Sequence, residues 1–307
     1  MRKVAVIGLG HVGATAAFIL VTHGYADELL LLDKNEKKCA AEWGDLRDTL
    51  PRNDHYVKVN WSTWDDWSGL KDADVIITAF GDVSASIKTG DRFAEFPINS
   101  ANAKEVGPKI KESGFHGIII NISNPCDVVT SILQRETGLP RNQVFGTGTF
   151  LDTARMQRVV GEKLGQDPRN VSGFNLGEHG SSQFTAWSMV NVNNKSAFDL
   201  FTEEERAEMD QASKDNAFKV GFGKGYTCYA VATCGVRLAN AVFSDAKMYG
   251  PTSCFVESVG TYIGHPSIVG KNGVEAVPEL DLLPDEREKL EASAKKLKDS
   301  LATIYPD

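Results

Sequence analysis

The 307-residue chain is 42% hydrophobic and 24% charged, ordinary proportions for a soluble globular protein long enough for two domains. Its 33 basic and 41 acidic residues leave a formal net charge of -8, which argues against nucleic acid or an anionic membrane as partner, because phosphate-rich surfaces need a basic face. Five cysteines without a close C-x-x-C pair (Cys39, Cys126, Cys228, Cys234, Cys254) suit neither a disulfide scaffold nor a zinc ribbon, and no apolar run reaches the roughly 18–20 residues of a membrane span, so a reducing, cytoplasmic setting is expected.

Lys3–Gly8 is a β-branched apolar run of the kind buried in a parallel sheet, and Ala14–Thr22 reads as an Ala-rich helix packed on it. Glu28–Asp33 is a second buried strand ending in a carboxylate, and Asn35–Leu46 a helix. Ala73–Ala79 and Gly117–Ile122 read as further strands, with the polar helix Ile98–Ser113 between them. Strand alternating with helix up to Gly146 predicts an α/β, Rossmann-type doubly wound parallel sheet over residues 1–146. Beyond it the texture changes. Asn170–Gly180 and Ala186–Asn193 are mixed, the latter with hairpin character, a charged helix starts near Thr202, and Gly225–Phe243 and Pro284–Ile304 are helical. Residues 147–307 are therefore expected to form an α+β substrate domain.

Gly8-Leu9-Gly10-His11-Val12-Gly13 fits G-x-G-x-x-G between a buried strand and a helix, and Asp33 follows 33 − 13 = 20 residues after the third glycine. Gly8 permits the tight turn, Gly10 lets the backbone approach a diphosphate, and Gly13 lets helix and strand pack closely. The diphosphate would sit at the helix N-terminus, and Asp33 would accept hydrogen bonds from the adenosine ribose. A 2′-phosphate there would meet like charge, so NAD is expected rather than NADP. The plainer reading is a structural glycine turn beside a solvated Asp33. His11 reads as a filler position.

Asn124-Pro125-Cys126-Asp127 ends a strand at the carboxyl edge, where open α/β sheets bind ligands; alone it would be an Asn-Pro turn. Asp152 and Arg155 in Leu151–Arg155 are three apart on one helix face. His179 stands between glycines in Gly177-Glu178-His179-Gly180, where an upstream Asp would orient it and set its tautomer. Gly81–Arg92 has the small and polar composition of a mobile lid, though taken alone it would read as an ordinary surface loop with a solvated Arg.

Taken in order, G-L-G-H-V-G, the Asp after strand two, T-G-D-R, N-P-C-D, L-D-T-A-R, G-E-H-G and G-K-G-Y-T resemble the lactate/malate dehydrogenase superfamily from residue 2 to the C-terminal helix. Within it, GTGTFLDTARMQR, VSGFNLGEHGSSQF and the long lid are most similar to the L-2-hydroxyisocaproate dehydrogenase branch. The resemblance implies an NAD-dependent L-2-hydroxyacid dehydrogenase, with L-lactate and, less well, malate as alternative substrates. His179 would be the acid/base and Asp152 the partner of its far ring nitrogen. Arg155 would grip the substrate carboxylate bidentately, and Arg92 would arrive with the lid to polarise the C2 carbonyl. Asn124 would position that oxygen and the nicotinamide ribose, Thr227 would flank the substrate, and Val231 would pack on the nicotinamide. A homodimer or homotetramer acting on a small 2-oxo or 2-hydroxy acid is implied.

Gly81 and Arg92 are 92 − 81 = 11 positions apart, longer than the common lactate-type lid, and the specificity positions fall among Val83, Ser84, Ala85, Ser86 and Ile87. None is a second arginine, so a dicarboxylate would leave its distal charge unpaired, with Lys88 the one nearby cation. The lid's length and small residues point to medium or branched aliphatic acids. Cys126 is expected to be structural. Gln157 and Ser172 lack the charge of the Arg and His found in enzymes activated by fructose bisphosphate, so that control is not expected. A non-catalytic NAD-binding protein would have no reason to keep Asp152, Arg155, His179 and Arg92 together. A metal-assisted glycosidase would need a ligand pair that the spacing of Cys228, Cys234, Cys254 and His265 does not suggest.

Overall fold

Lys3–Ile7 (β1), Glu28–Leu32 (β2), Val75–Thr78 (β4) and Ile118–Asn121 (β5) are almost wholly buried. They pair in parallel, together with Lys58–Trp61 (β3) and Val144–Gly146 (β6), in the order β3-β2-β1-β4-β5-β6. A parallel sheet covered by helices on both faces buries both sides of its central strands, which is why β1, β2, β4 and β5 are nearly continuous apolar runs rather than alternating ones. Strand order reverses between β1 and β4. That switch point is where the loops after both strands diverge and leave a crevice. The computed structural model describes residues 1–82 and 92–306, except the side chains of Arg92, Ala217 and Phe218. The expected lid residues Val83, Ser84, Ala85, Ser86, Ile87 and Lys88, and the Arg92 side chain, lie outside the described residues.

The helices of this half are His11–Thr22 (α1), Glu36–Thr49 (α2), Phe96–Glu112 (α3) and Cys126–Thr137 (α4). Helix α4 ends at Gly138 with φ +68°, a left-handed cap that glycine takes without a steric penalty.

The sheet does not stop at residue 146. Met248–Val256 (β12) and Thr261–Gly270 (β13) form a long hairpin extended by Gly273–Ala276 (β14), and β12 joins β6 antiparallel at Ser253–Gly146. One nine-stranded sheet therefore runs through both halves of the chain. Around it lie Phe150–Leu164 (α5), Glu203–Lys224 (α7), Tyr229–Phe243 (α8) and Pro284–Ala302 (α9). Short strands Val171–Ser172 (β7), Asn175–Leu176 (β8), Phe184–Thr185 (β9), Asn191–Val192 (β10) and Lys195–Ser196 (β11) precede the one-turn helix Ala197–Leu200 (α6). Met156, Val160, Trp187, Val190 and Phe201 pack there into a second, smaller core. Helix α7 begins as its sequence demands, since Thr202 accepts from the Glu205 N–H while Glu205 closes the box on the Thr202 N–H. Helix α8 starts at Tyr229 rather than Gly225, because Gly225 is the left-handed cap of α7. No helix among the described residues is long and apolar enough to cross a membrane.

Candidate active site

Three buried side chains meet between the first turn of α5 and the loop after β8. His179 Nδ1–H donates to Asp152 Oδ2 at 2.5 Å, and Arg155 Nη1 donates to Asp152 Oδ1 at 2.9 Å. Asp152 is 1% exposed, and His179 and Arg155 are each 8% exposed. One carboxylate thus uses one oxygen to hold an imidazole and the other to hold a guanidinium. With Nδ1 committed as donor, the neutral ring carries its acceptor lone pair on Nε2.

The surrounding backbone fixes this placement. The Thr149 hydroxyl donates to Asn175 O at 2.6 Å, and Asn175 N–H donates to the Thr153 hydroxyl at 2.9 Å, so the start of α5 is pinned to β8. Gly177 and Gly264 exchange two backbone hydrogen bonds at 3.0 Å, tying the histidine loop to β13. Helix α9 holds the same loop from the other side. Glu178 takes Lys296 Nζ on both oxygens at 2.9 and 2.8 Å, and its N–H donates to the Ser293 hydroxyl at 2.7 Å.

Asn124 follows β5, half-buried, and its carbonyl accepts from Asn99 Nδ2 at 2.6 Å. The turn that presents it is stitched by Asn121, whose amide donates to Ser123 O, Cys126 O and the Thr130 hydroxyl and accepts from the Thr78 hydroxyl. Thr227 lies in the link between α7 and α8, and Val231 in the first turn of α8 packs half-buried against the main core.

The glycine turn stands at the switch point. Gly8 has φ +93°, and a Cβ there would lie 2.6 Å from the Phe80 backbone. A Cβ on Gly13 would lie 1.8 Å from the Gly8 carbonyl oxygen. Gly10 is different, with open space within 4 Å of where a Cβ would be. It caps α1 without a side-chain acceptor, and no acidic residue sits in the first turn. Backbone N–H groups are therefore left for an anion that can approach closely. Asp33 directly follows β2 and accepts from Leu9 N–H at 2.6 Å and Asn35 N–H at 2.8 Å, which aims its carboxylate over the turn and leaves lone pairs on both oxygens.

Against this geometry, residues 2–146 match the family model described as lactate/malate dehydrogenase, NAD binding domain, and residues 149–305 match lactate/malate dehydrogenase, alpha/beta C-terminal domain. The chain belongs to the lactate/malate dehydrogenase family. It is 36% identical over 309 residues to L-lactate dehydrogenase 1 of Bifidobacterium longum, covering 97% of this chain and 96% of that one. L-lactate dehydrogenase 2 of Enterococcus faecalis is 32% identical over 317 residues, covering 100% of this chain and 98% of the relative. The crystal structure of the minor L-lactate dehydrogenase from Enterococcus mundtii superposes with a TM-score of 0.93 at 31% identity, covering 100% of this chain and 99% of the other. The protein is an NAD-dependent oxidoreductase acting on 2-hydroxy acids, and the open Gly10 backbone, the uncapped start of α1 and Asp33 fit NAD.

Gly13→Ala tests how tight that turn is. Forcing a methyl group against the Gly8 carbonyl is expected to cost about 2–3 kcal/mol of stability and to weaken NADH binding at least about tenfold. Thermal melts and a fluorescence titration with NADH check both, and wild-type behaviour in the two would contradict the packing described.

Two features escape a reading of the sequence. His11, a filler by its motif position, stacks flat on Tyr226 with ring centroids 3.5 Å apart and planes 2° apart, bridging the glycine turn to the link before α8. Asp127, 2% exposed in the first turn of α4, accepts the backbone N–H of His179 at 2.8 Å. Burial pushes its carboxyl up to about 7, against the pull of the Ser253 hydroxyl and the His179 N–H. Cys126 beside it is buried, its thiol pushed up to about 12 by desolvation, and packs on Thr147, Thr130 and the Gly148 N–H. So inert a thiol agrees with a structural role.

Proposed function

We propose that the chain interconverts pyruvate and L-lactate, with His179 as proton donor and acceptor and Arg155 as the carboxylate grip. The observation that carries the site reading is the Asp152 carboxylate shared between His179 Nδ1 and Arg155 Nη1 in a buried setting. The choice of pyruvate is supported by relatives named L-lactate dehydrogenase that align over nearly the whole chain.

In this reading residues 1–146 carry the cofactor and residues 147–307 most of the substrate site. Gly8, Gly10, Gly13 and Asp33 hold the adenosine and diphosphate end, while Asn124 and Val231 flank the nicotinamide end. When bound, the nicotinamide gives up or takes a hydride at C2 of the substrate. During reduction, protonated His179 gives its Nε2 proton to the carbonyl oxygen as negative charge grows there. During oxidation, the neutral ring takes the hydroxyl proton. Asp152 keeps the ring in the tautomer that puts the acceptor lone pair on Nε2 and stabilises the imidazolium. Arg155 binds the carboxylate through two parallel N–H···O contacts, Asn124 and Arg92 steady the C2 oxygen, and Thr227 flanks the side chain.

The lid sequence favours a second reading. By sequence Val83, Ser84, Ala85 and Ser86 carry no second arginine and the segment to Arg92 is long, a pattern that suits a branched aliphatic acid such as 2-oxoisocaproate. A kcat/KM series over pyruvate, 2-oxoisocaproate, phenylpyruvate and oxaloacetate separates the two. Pyruvate is expected at the top and oxaloacetate at the bottom. A lead of tenfold or more for 2-oxoisocaproate, about 1.4 kcal/mol of transition-state binding, would replace the lactate reading with the branched-chain one.

A further inference from the structure

We propose that Asp127 is a positioning residue whose carboxyl holds the backbone of His179 and thereby sets the imidazole against the half of the chain that binds NAD. The proposal rests on His179 being the proton carrier.

His179 is gripped twice, by carboxyls from the two halves of the chain. Asp152, on α5, takes the ring through Nδ1, while Asp127, on α4, takes the main-chain N–H of the same residue at 2.8 Å. The ring contact fixes tautomer and tilt. It does not fix where the loop stands relative to β5 and the turn bearing Asn124. Asp127 lies in the same turn as Asn124, three residues on, so the histidine backbone and the nicotinamide-side turn share one rigid anchor. The two residues are 52 positions apart in sequence, and the hydrogen bond between them is fully buried.

The environment of Asp127 suits a tether better than a counter-charge. Two other carboxylates face it, Glu178, already paired with Lys296, and Asp152, already paired with Arg155. From β12 the Ser253 hydroxyl and the Cys254 thiol complete its surroundings. Among the described residues no cation pairs with it, and Oδ1 has no well-formed hydrogen bond. A carboxyl so placed keeps its proton more readily than a solvated one, and the protonated form still accepts the His179 N–H on its carbonyl oxygen. An Asn side chain would do the same, its carbonyl accepting from His179 and its amide donating to the Ser253 hydroxyl.

The test compares Asp127→Ala and Asp127→Asn in the full-length protein, each shown to be folded by circular dichroism and a thermal melt. NADH affinity is read by fluorescence, and kcat and KM with pyruvate or the best 2-oxo acid. Asp127→Ala is expected to lower kcat about 10- to 100-fold with NADH affinity within about twofold, while Asp127→Asn restores kcat to within about threefold. Should the alanine variant not fold, hydrogen exchange of the His179 amide in Asp127→Asn decides. Protection and kcat both retained support the tether, and a folded asparagine variant that has lost either overturns it. Unchanged kcat in Asp127→Ala, or equal loss in both variants, also overturns it. A His179→Asn variant that still turns over would remove the proton-carrier reading itself. A dead His179→Asn beside a fully active Asp127→Ala would remove the tether alone.

Discussion

His179→Asn is expected to lower kcat by about 10⁴-fold while leaving NADH affinity within about twofold. An asparagine amide occupies similar space and can still hydrogen-bond Asp152, so the pocket keeps its shape. It has no titrating nitrogen, however, and the proton that must reach the C2 oxygen has no carrier. The proposed cofactor cradle consists of other residues, Gly8 to Gly13 and Asp33, none of which hydrogen-bonds His179. Stopped-flow absorbance at the nicotinamide band and NADH fluorescence separate the two effects. Turnover within tenfold of wild type would take His179 out of the chemistry.

Arg155→Lys is expected to lower kcat/KM by about 10²- to 10³-fold. The charge is kept, so the variant isolates geometry. A guanidinium can hold Asp152 with Nη1 and still present two parallel donors from a rigid plane, whereas an ammonium is a single point that must choose. Because Arg155 is 8% exposed, water cannot easily fill in for the missing donor. Steady-state kinetics with a saturating cofactor give the number. A loss of threefold or less would mean that the carboxylate is held elsewhere.

The parts of the fold legible in the sequence were those whose burial is uniform. β1, β2, β4 and β5 are apolar at every position but one terminal residue because helices cover both faces, and such runs need no partner to be recognised. β3 (KVNW) and β6 (VFG) are too short and too mixed to stand out. The hairpin β12–β13 was hidden for a different reason. Its strands carry Gly250, Pro251, Gly264 and Pro266, all of them strand breakers in isolation. Pro251 and Pro266 face each other across the pair, and nearly every position is buried, so no alternation survives to mark them.

The active site divides in the same way. His179, Asp152 and Arg155 were legible because they sit in distinctive short motifs and the proposed roles belong to their side chains. Asp127 lies inside a motif already singled out, yet its contact with His179 was invisible, since its partner is a main-chain N–H and a sequence does not say which N–H a fold will deliver. The stacking of His11 on Tyr226 depends likewise on how the two halves of the chain meet, not on either local pattern.

A structure of the complex with NADH and the pyruvate analogue oxamate bears most directly on the whole account. Nε2 of His179 should stand about 2.6–3.2 Å from the oxygen on C2, with two Arg155 N–H groups on the carboxylate and Asp152 still bound to both residues. A ligand whose carboxylate sits away from Arg155, or whose reacting oxygen is out of reach of His179, would contradict it.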